Sequence, residues 1–287
     1  MTNRALWKKT LIDCRWLLVG GIVFMFGVHW LRVWISSFFS TRDLEYMLSL
    51  LPAPIEQLLP VSYKQMASGA GQIAAEYDDP VVLLLMTVWA ISRGSDAVSG
   101  ELNRGTMEMV LAQPVTRTSV LTIQGIVAVI GAALLACAAW CGTWTGLNTV
   151  TLEAPIEARV FVPPALNLFA LGAFLAGLTT MVSAGTNYRA RTIGIVGGFY
   201  AVSMVLKIVG RAAPGWEWLG YTSFFTPFEP QRLVGDASRA WSVWFETAPG
   251  SYELGGIGYD SVLIGLGLAA YVVAAVVFAR RDLPAPL

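Results

Sequence analysis

The sequence predicts an all-α membrane protein, a bundle of six transmembrane helices. Of its 287 residues, 55% are hydrophobic and only 13% are charged, whereas a soluble domain carries roughly 25% charged residues. The apolar residues are also grouped into runs separated by polar stretches, which indicates bilayer spans rather than one large core. We therefore expect a single transmembrane domain over residues 1–287.

The first span is predicted at about 17–35. Basic residues precede this apolar run, as in a signal peptide, but no small-residue cleavage pattern follows it, and Trp30, Arg32 and Trp34 continue it. An uncleaved span is therefore the better interpretation. The residues before it, 4–16, carry their apolar side chains on one side, so that stretch could lie in the membrane interface.

The second span, at about 76–96, has the shortest apolar run. Its start is marked by Asp78, Asp79 and Pro80, because acidic residues and a first-turn proline favour a helix N-terminus. The uninterrupted apolar part covers about thirteen residues, short of the roughly twenty needed to cross a bilayer. The helix must therefore extend past Arg93 or begin earlier, near Ile73.

The other four spans are expected at about 119–146, 162–184, 192–210 and 257–279. With the N-terminus in the cytoplasm, the short inner segments hold an excess of cations, and the outer segments hold an excess of acids. The positive-inside rule requires this arrangement. Both termini are therefore predicted to be cytoplasmic.

Two long outer segments, 36–79 and 210–256, are rich in aromatic residues and prolines. We expect short interfacial or re-entrant helices there, including before the sixth span, rather than free loops. The aromatic rings form either a membrane-interface belt or a functional rim, and either segment could bind a periplasmic partner.

Several kinds of chemistry find no support in the sequence. There is no phosphate-binding loop, no H-E-x-x-H, no G-x-S-x-G and one histidine, His29. Cys14, Cys137 and Cys141 are too few and too unevenly placed for a disulfide framework or a zinc cluster. No predicted span carries a carboxylate at its middle, where an ion-coupled carrier usually needs one. We expect a non-catalytic protein without a cofactor and without nucleic-acid binding, whose energy, if any is used, comes from elsewhere.

The segment 93–118, between the second and third spans, carries the most specific pattern. Gly105 breaks the chain, Thr106 can cap a short helix, Glu108 suits its first turn, and Pro114 ends it. Within that helix one face carries a compact apolar patch: Met107, Val110 and Leu111. Such a patch on a cytoplasmic loop is either tucked against the bundle or offered to a partner.

The pattern Glu101-x-x-x-Gly105-Thr106-x-Glu108, followed by Pro114-Val-x-Arg117, resembles the coupling segment of ABC-2 type exporter permeases, the six-span form with a separate ATPase. The chain's close, Phe278-Ala-Arg280-Arg281-Asp282-Leu283, is similar to the aromatic, double-basic, acidic ending common in that family. The six-span layout agrees, so the resemblance covers nearly the whole chain.

The resemblance implies a permease subunit of an ATP-driven exporter in a bacterial inner membrane. It implies a homodimer on two ABC ATP-binding subunits, with ATP bound by those partners. It assigns ATPase docking to Glu101, Gly105, Thr106, Glu108, Pro114 and Arg117. The helix spacing, rather than the family, adds Met107, Val110 and Leu111 as the apolar contact. The alternative is a membrane scaffold or assembly protein with no transport cycle.

Two glycine pairs at i, i+4 spacing lie in predicted spans: Gly142 with Gly146, and Gly194 with Gly198. Each pair permits close approach of a second helix. Because such pairs are common in membrane helices, packing within one subunit is favoured over a dimer seam.

Overall fold

The computed structural model describes residues 4–52, 55, 59–107, 109, 112, 115–213, 215–248 and 251–281. Within these residues, six helical stretches are long and apolar enough to cross a bilayer, by length and composition. They confirm the predicted helical, six-span class of a multi-pass membrane protein.

The elements follow one another along the chain with short connections. The helices are α1 (Arg4–Ser36), α2 (Thr41–Ser49), α3 (Tyr63–Ala67), α4 (Gly69–Ala74), α5 (Pro80–Ser95), α6 (Glu101–Asn103), α7 (Arg117–Thr149), α8 (Val162–Gly185), α9 (Arg189–Ala212), α10 (Trp218–Tyr221), α11 (Pro230–Gly235) and α12 (Tyr259–Arg280). Three 3₁₀ turns lie at Ala75–Asp78, Ala158–Phe161 and Ala237–Ala240, and a π-helical turn at Asp96–Gly100. The strands are β1 (Ser242–Ala248) and β2 (Ser251–Ile257).

The first span and the stretch before it form one uninterrupted helix, α1, of 33 residues. At 1.5 Å per residue this helix is about 50 Å long, so it extends well beyond a hydrocarbon core of about 30 Å. Its buried stripe packs along α7, where two glycines permit close approach. A β-carbon on Gly142 would lie 2.3 Å from the backbone oxygen of Phe26, and one on Gly146 would lie 2.6 Å from the Cβ of Val33.

The second span gains length at both ends. Helical residues run from Gly69 to Asn103, a stretch of 35 residues that includes α4, α5 and α6. The Asp79 carboxylate caps α5 by accepting a hydrogen bond from the Val81 amide at 2.8 Å, and Pro80 occupies the first turn. The short apolar run therefore lies inside a helix that is longer than its hydrophobic part.

The core of the bundle surrounds α8, which packs against α5, α7 and α12. Trp89 of α5 is fully buried there and donates its indole N–H to the Ala128 carbonyl oxygen at 2.9 Å. The ring lies against Gly131, where a β-carbon would come within 1.8 Å of it. Only glycine leaves room at this position for the large aromatic residue that joins two spans.

The segment before the last span contains the expected short helices, α10 and α11, and a local difference. Residues 242–257, also expected to be helical, form an antiparallel two-stranded hairpin. The physical reason is local: Ser242-Val-Trp-Phe-Glu-Thr247 is rich in β-branched and aromatic residues. In the sequence, a Pro-Gly pair, which favours turns, separates the two strands.

Candidate functional site

The helix α1 begins at the same end of the bundle at which α12 ends, and we call this the terminal end. Three contacts define it. Lys9 near the start of α1 reaches Glu101, Arg117 at the start of α7 reaches the Arg281 carbonyl oxygen at 2.5 Å, and Arg281 reaches the Ala184 carbonyl oxygen at 2.7 Å. Residues from five of the six spans therefore meet around the predicted coupling segment.

Glu101 is the centre of this end. Its side chain is 3% exposed, and the Lys9 ammonium donates to both carboxylate oxygens, at 2.8 and 2.9 Å. The Arg104 guanidinium lies 3.2 Å from one oxygen, and the Thr106 hydroxyl donates to the other at 2.5 Å. Hydrogen bonds to an ionised group are stronger than neutral ones. Glu101 therefore ties α1 to the coupling segment.

A second buried carboxylate, Asp96, lies beside the first. It accepts hydrogen bonds from Arg93 at 2.7 Å and Arg104 at 3.0 Å, and the Arg189 guanidinium lies 3.4 Å away. Partial burial alone would lower the pKa of the Arg104 guanidinium, but the hydrogen bond to Asp96 and the charges of both carboxylates raise it above its usual range. Arg104 therefore remains a cation that links Asp96 to Glu101.

A π-helical turn, Asp96–Gly100, presents both carboxylates. A turn of this kind breaks the regular pattern of backbone hydrogen bonds. The Ser183 hydroxyl of α8 compensates by accepting from the Val98 and Ser99 amides, at 3.3 and 2.8 Å, and by donating to the Ser95 carbonyl oxygen. Because π-helical turns are frequent at functional sites, this end of α5 is a candidate for one.

Gly105 has the backbone conformation that ends α6. Its φ is +69°, a left-handed value that residues with a β-carbon adopt at a cost. Its amide donates to the Leu102 carbonyl oxygen and the Thr106 amide donates to the Glu101 carbonyl oxygen, both at 3.0 Å. This pair of bonds is a Schellman motif. The glycine of the predicted pattern thus turns the chain out of α6 and aims Thr106 back at Glu101.

Replacing Gly105 with alanine is expected to lower the free energy of unfolding by about 1 to 2 kcal/mol, because the left-handed conformation becomes strained. The thermal unfolding midpoint in detergent should fall by about 2 to 4 °C for each kcal/mol. Gly185→Ala is the matched control, since Gly185 lacks a positive φ and has open space around it. Equal shifts in the two variants would contradict the backbone argument.

The structure places the remaining predicted site residues unequally. Met107 is 1% exposed and belongs to a cluster of apolar residues from several spans. Its buried members are Ala97, Val98, Leu121, Ala184, Ala274 and Phe278. Met109 is 70% exposed. Glu108, Val110, Leu111 and Pro114 lie outside the described residues.

The two patterns that carry the resemblance touch each other. The Arg117 guanidinium donates to the backbone carbonyl oxygens of Arg281, at 2.5 Å, and Phe278, at 3.5 Å. The Phe278 side chain packs in the same apolar cluster as Met107. Residues far apart in the sequence, at 107–117 and 278–281, therefore form one structural unit.

Residues 9–283 match the model of a family described as ABC-2 family transporter protein. The chain belongs to this family. No curated protein matches the chain. A permease of this family is the membrane component of a transporter and generally pairs with an ABC ATPase. The permease's coupling segment therefore has a family context as well as a structure.

Several residues of the terminal end were not among the sequence-predicted site residues: Lys9, Arg93, Asp96, Arg104 and Arg189. Each is a charged residue at or near the end of an apolar run, which was used only to predict orientation. A carboxylate that sits within a helical turn of an apolar span needs a cation nearby. That signal shows the need for a partner but does not identify which cation supplies it.

Proposed function

We propose that this permease is the transmembrane subunit of an ATP-driven exporter and that a separate ATP-binding subunit docks on the segment 101–117. The observation that carries the proposal is the contact of Arg117 with Phe278 and Arg281, which joins the two family-like patterns at one end of the bundle. The substrate moves across the bilayer, and the partner supplies the energy.

The proposed orientation places the terminal end in the cytoplasm, where an ATPase has access to ATP. The basic residues favour it, since Lys9, Arg104, Arg117, Arg189 and Arg281 all lie at this end. In this proposal the permease binds no cofactor and catalyses no reaction, because ATP is bound and hydrolysed by two copies of the partner.

The segment has an anchored side and a presented side. Met107 fixes it to the bundle, a role different from the exposed contact that helix spacing suggested. Met109 faces outward, and we assign the contact with the ATPase to it together with Glu108, Val110, Leu111 and Pro114. The ion pair between Lys9 and Glu101 then transmits a movement of the docked segment to α1.

Glu108→Lys and Leu111→Asp are expected to detach the ATPase, because each places a charge of the wrong kind on the proposed contact. Co-purification of a tagged permease with the ATPase encoded beside it should fall at least tenfold. Glu157→Lys and Leu50→Asp are matched controls, since both change exposed residues far from the terminal end. If the ATPase remains bound to both docking variants, the docking assignment is wrong. If it binds neither the variants nor the unaltered permease, the scaffold alternative is favoured.

We also propose that two permease copies meet along α9. The pair Gly142 and Gly146 is occupied by α1, as expected for packing within one subunit, whereas β-carbons on Gly194 and Gly198 would meet nothing within 4 Å. Large apolar side chains flank these two glycines and are exposed, among them Ile195, Phe199 and Val202. Two copies could approach closely there.

Gly198→Leu is expected to shift the assembly from two copies to one without unfolding the permease, because the added side chain blocks close helix approach. Native mass spectrometry in detergent counts the copies. Gly20→Leu is the matched control, since Gly20 of α1 also faces open space. Dimers that persist in Gly198→Leu would place the seam elsewhere.

Finally, we propose a bacterial inner membrane as the location and a periplasmic partner for segment 36–79 or 210–256. Exposed rings support the second segment: Trp216, Trp218 and Tyr221 stand clear of the bundle. A photo-crosslinking residue at position 221 should capture that partner in cells, and capture of lipid alone would contradict it.

A further inference from the structure

A cavity of about 870 Å³ lies between α8, α9 and α12, away from the predicted docking segment. Residues 217–232, which connect α9 to the last span, line its end remote from the terminal end. We call it the α9/α12 groove. Its volume falls in the range of small-molecule binding sites, about 300 to 1,000 Å³.

The long walls of the groove are apolar. One wall is a stripe of α12 at helical spacing, with Val262, Leu266 and Val273. The other walls carry the following side chains: Phe174, Leu178, Met181 and Phe199. Along α12 the lining runs from Tyr259 to Val273, which is about 21 Å at 1.5 Å per residue. Half of a hydrocarbon core of about 30 Å is shorter than this, so the groove is long enough for one extended hydrocarbon chain.

Cations gather where the groove meets residues 217–232. Lys207, Arg211 and Arg232 surround Glu229: the Lys207 ammonium lies 3.0 Å from its carboxylate, Arg211 contacts the same oxygen, and Arg232 lies 3.7 Å from the other. The Glu229 side chain is almost fully buried, whereas those of Arg211 and Arg232 are 22% and 40% exposed.

The charges that line the groove do not cancel. The lining holds three cations, Lys207, Arg211 and Arg232, against two acids, Glu229 and the exposed Glu217. Asp78 also acts on Lys207, although it is absent from the lining. Lys207 is thus compensated, and the two partly exposed guanidinium groups face the groove. A guanidinium has five donors and binds phosphate or carboxylate oxygens in a fork.

We propose that the α9/α12 groove binds one amphiphile with an anionic headgroup, a phosphate or a carboxylate, and a long hydrocarbon chain. Arg211 and Arg232 hold the headgroup, and the chain lies along Val262, Leu266 and Val273. Binding needs neither nucleotide nor the ATPase, so it can fail while the docking proposal holds, and the reverse.

The test is native mass spectrometry of the delipidated permease, without ATPase, titrated with phosphatidylglycerol, phosphatidylcholine, a long-chain fatty acid or inorganic phosphate. Phosphatidylglycerol should bind at least tenfold more tightly than phosphatidylcholine, and inorganic phosphate should bind far more weakly, because it lacks a chain. The fatty acid distinguishes a carboxylate from a phosphate headgroup. Equal binding of the two phospholipids would overturn the proposal.

Variants then locate the site. Arg211→Gln and Arg232→Gln should each weaken phosphatidylglycerol binding roughly tenfold, since each loses a charge-assisted hydrogen bond. Arg159→Gln is the matched control, because Arg159 is paired with Glu157 and does not line the groove. Ala269→Phe should fill the groove and also weaken binding, whereas Ala279→Phe, on an exposed part of the same helix outside the groove, should not. Unchanged lipid binding in Ala269→Phe, with or without loss of dimers, would overturn the proposal; a loss of dimers would assign the groove to a second copy.

Discussion

Asp96→Asn is expected to destabilise the permease by about 3 to 5 kcal/mol, the typical effect of breaking a buried ion pair by removing one partner. The Asp96 and Arg93 side chains are 12% and 7% exposed, and their charged groups lie 2.7 Å apart. An asparagine amide cannot neutralise Arg93, which would remain a buried cation. Arg104 and Arg189 would lose the same partner, although both are more exposed.

The measurement is the free energy of unfolding in detergent, and the chain provides a matched control. Asp236 and Arg239 form a pair with the same i, i+3 spacing, 3.1 Å apart, but both side chains are more than 40% exposed. Asp236→Asn should therefore cost at most about 1 kcal/mol. A double variant, Arg93→Met with Asp96→Leu, should recover much of the loss, because it removes both charges. A loss no larger than that of Asp236→Asn would show that water reaches Arg93.

The helical bundle could be predicted because its signals are local. Runs of apolar residues predict spans wherever they occur, and the cap at Asp79 with Pro80 marks a helix start without reference to the rest of the chain. The hairpin at 242–257 was missed although its residues favour strands. In a chain dominated by helical spans, the aromatic content of that segment was interpreted as membrane-interface helix instead.

The candidate site was predictable only in part, because its contacts join distant residues. The pattern around Gly105 and Thr106 pointed to a turn, and the structure shows the turn in detail. The pairing of Glu101 with Lys9 crosses 92 positions of the sequence, and the contact of Arg117 with Arg281 crosses 164. Charge counts near span ends predict that cations are present but not which carboxylate each one reaches.

Met107 illustrates a second limit. Helix periodicity places it on one face with Val110 and Leu111, but periodicity cannot say whether an apolar face is buried in the chain or offered to a partner. Phe278 and Leu121 decide the matter for Met107 by surrounding it. Tertiary packing, which no local pattern contains, thus divides the segment into an anchored and a presented part.

Glu101→Gln is expected to leave the ATPase bound but to abolish the response of the permease to ATP. The substitution keeps the shape of the side chain and removes its charge, so the bonds from Lys9, Arg104 and Thr106 weaken. Lys9 and Arg104 are partly exposed and can be hydrated, so the fold should survive, in contrast to Asp96→Asn. A coupling free energy of about 1.5 to 3 kcal/mol, that of a hydrogen bond to a charged group, corresponds to roughly a 10- to 100-fold change in the population of the ATP-dependent state.

The measurement needs no knowledge of the substrate. Spin labels at Thr151→Cys, an exposed position remote from the terminal end, report the distance between two permease copies with and without a non-hydrolysable ATP analogue. Cys137→Ser and Cys141→Ser remove the accessible native thiols, since Cys14 is buried. Glu157→Gln, which changes an exposed ion pair, is the matched control and should respond as the unaltered permease does.

Lys9→Gln separates transmission through the ion pair from a general effect on docking. If Glu101 acts by tying α1 to the coupling segment, Lys9→Gln should reduce the distance change as Glu101→Gln does, and the double variant should lose little more than either single one. Additive losses would mean that the two residues act independently. A full distance change in Glu101→Gln would show that α1 receives its movement by another route, such as the packing of Leu6 and Trp7 against Val120 and Ile123 of α7.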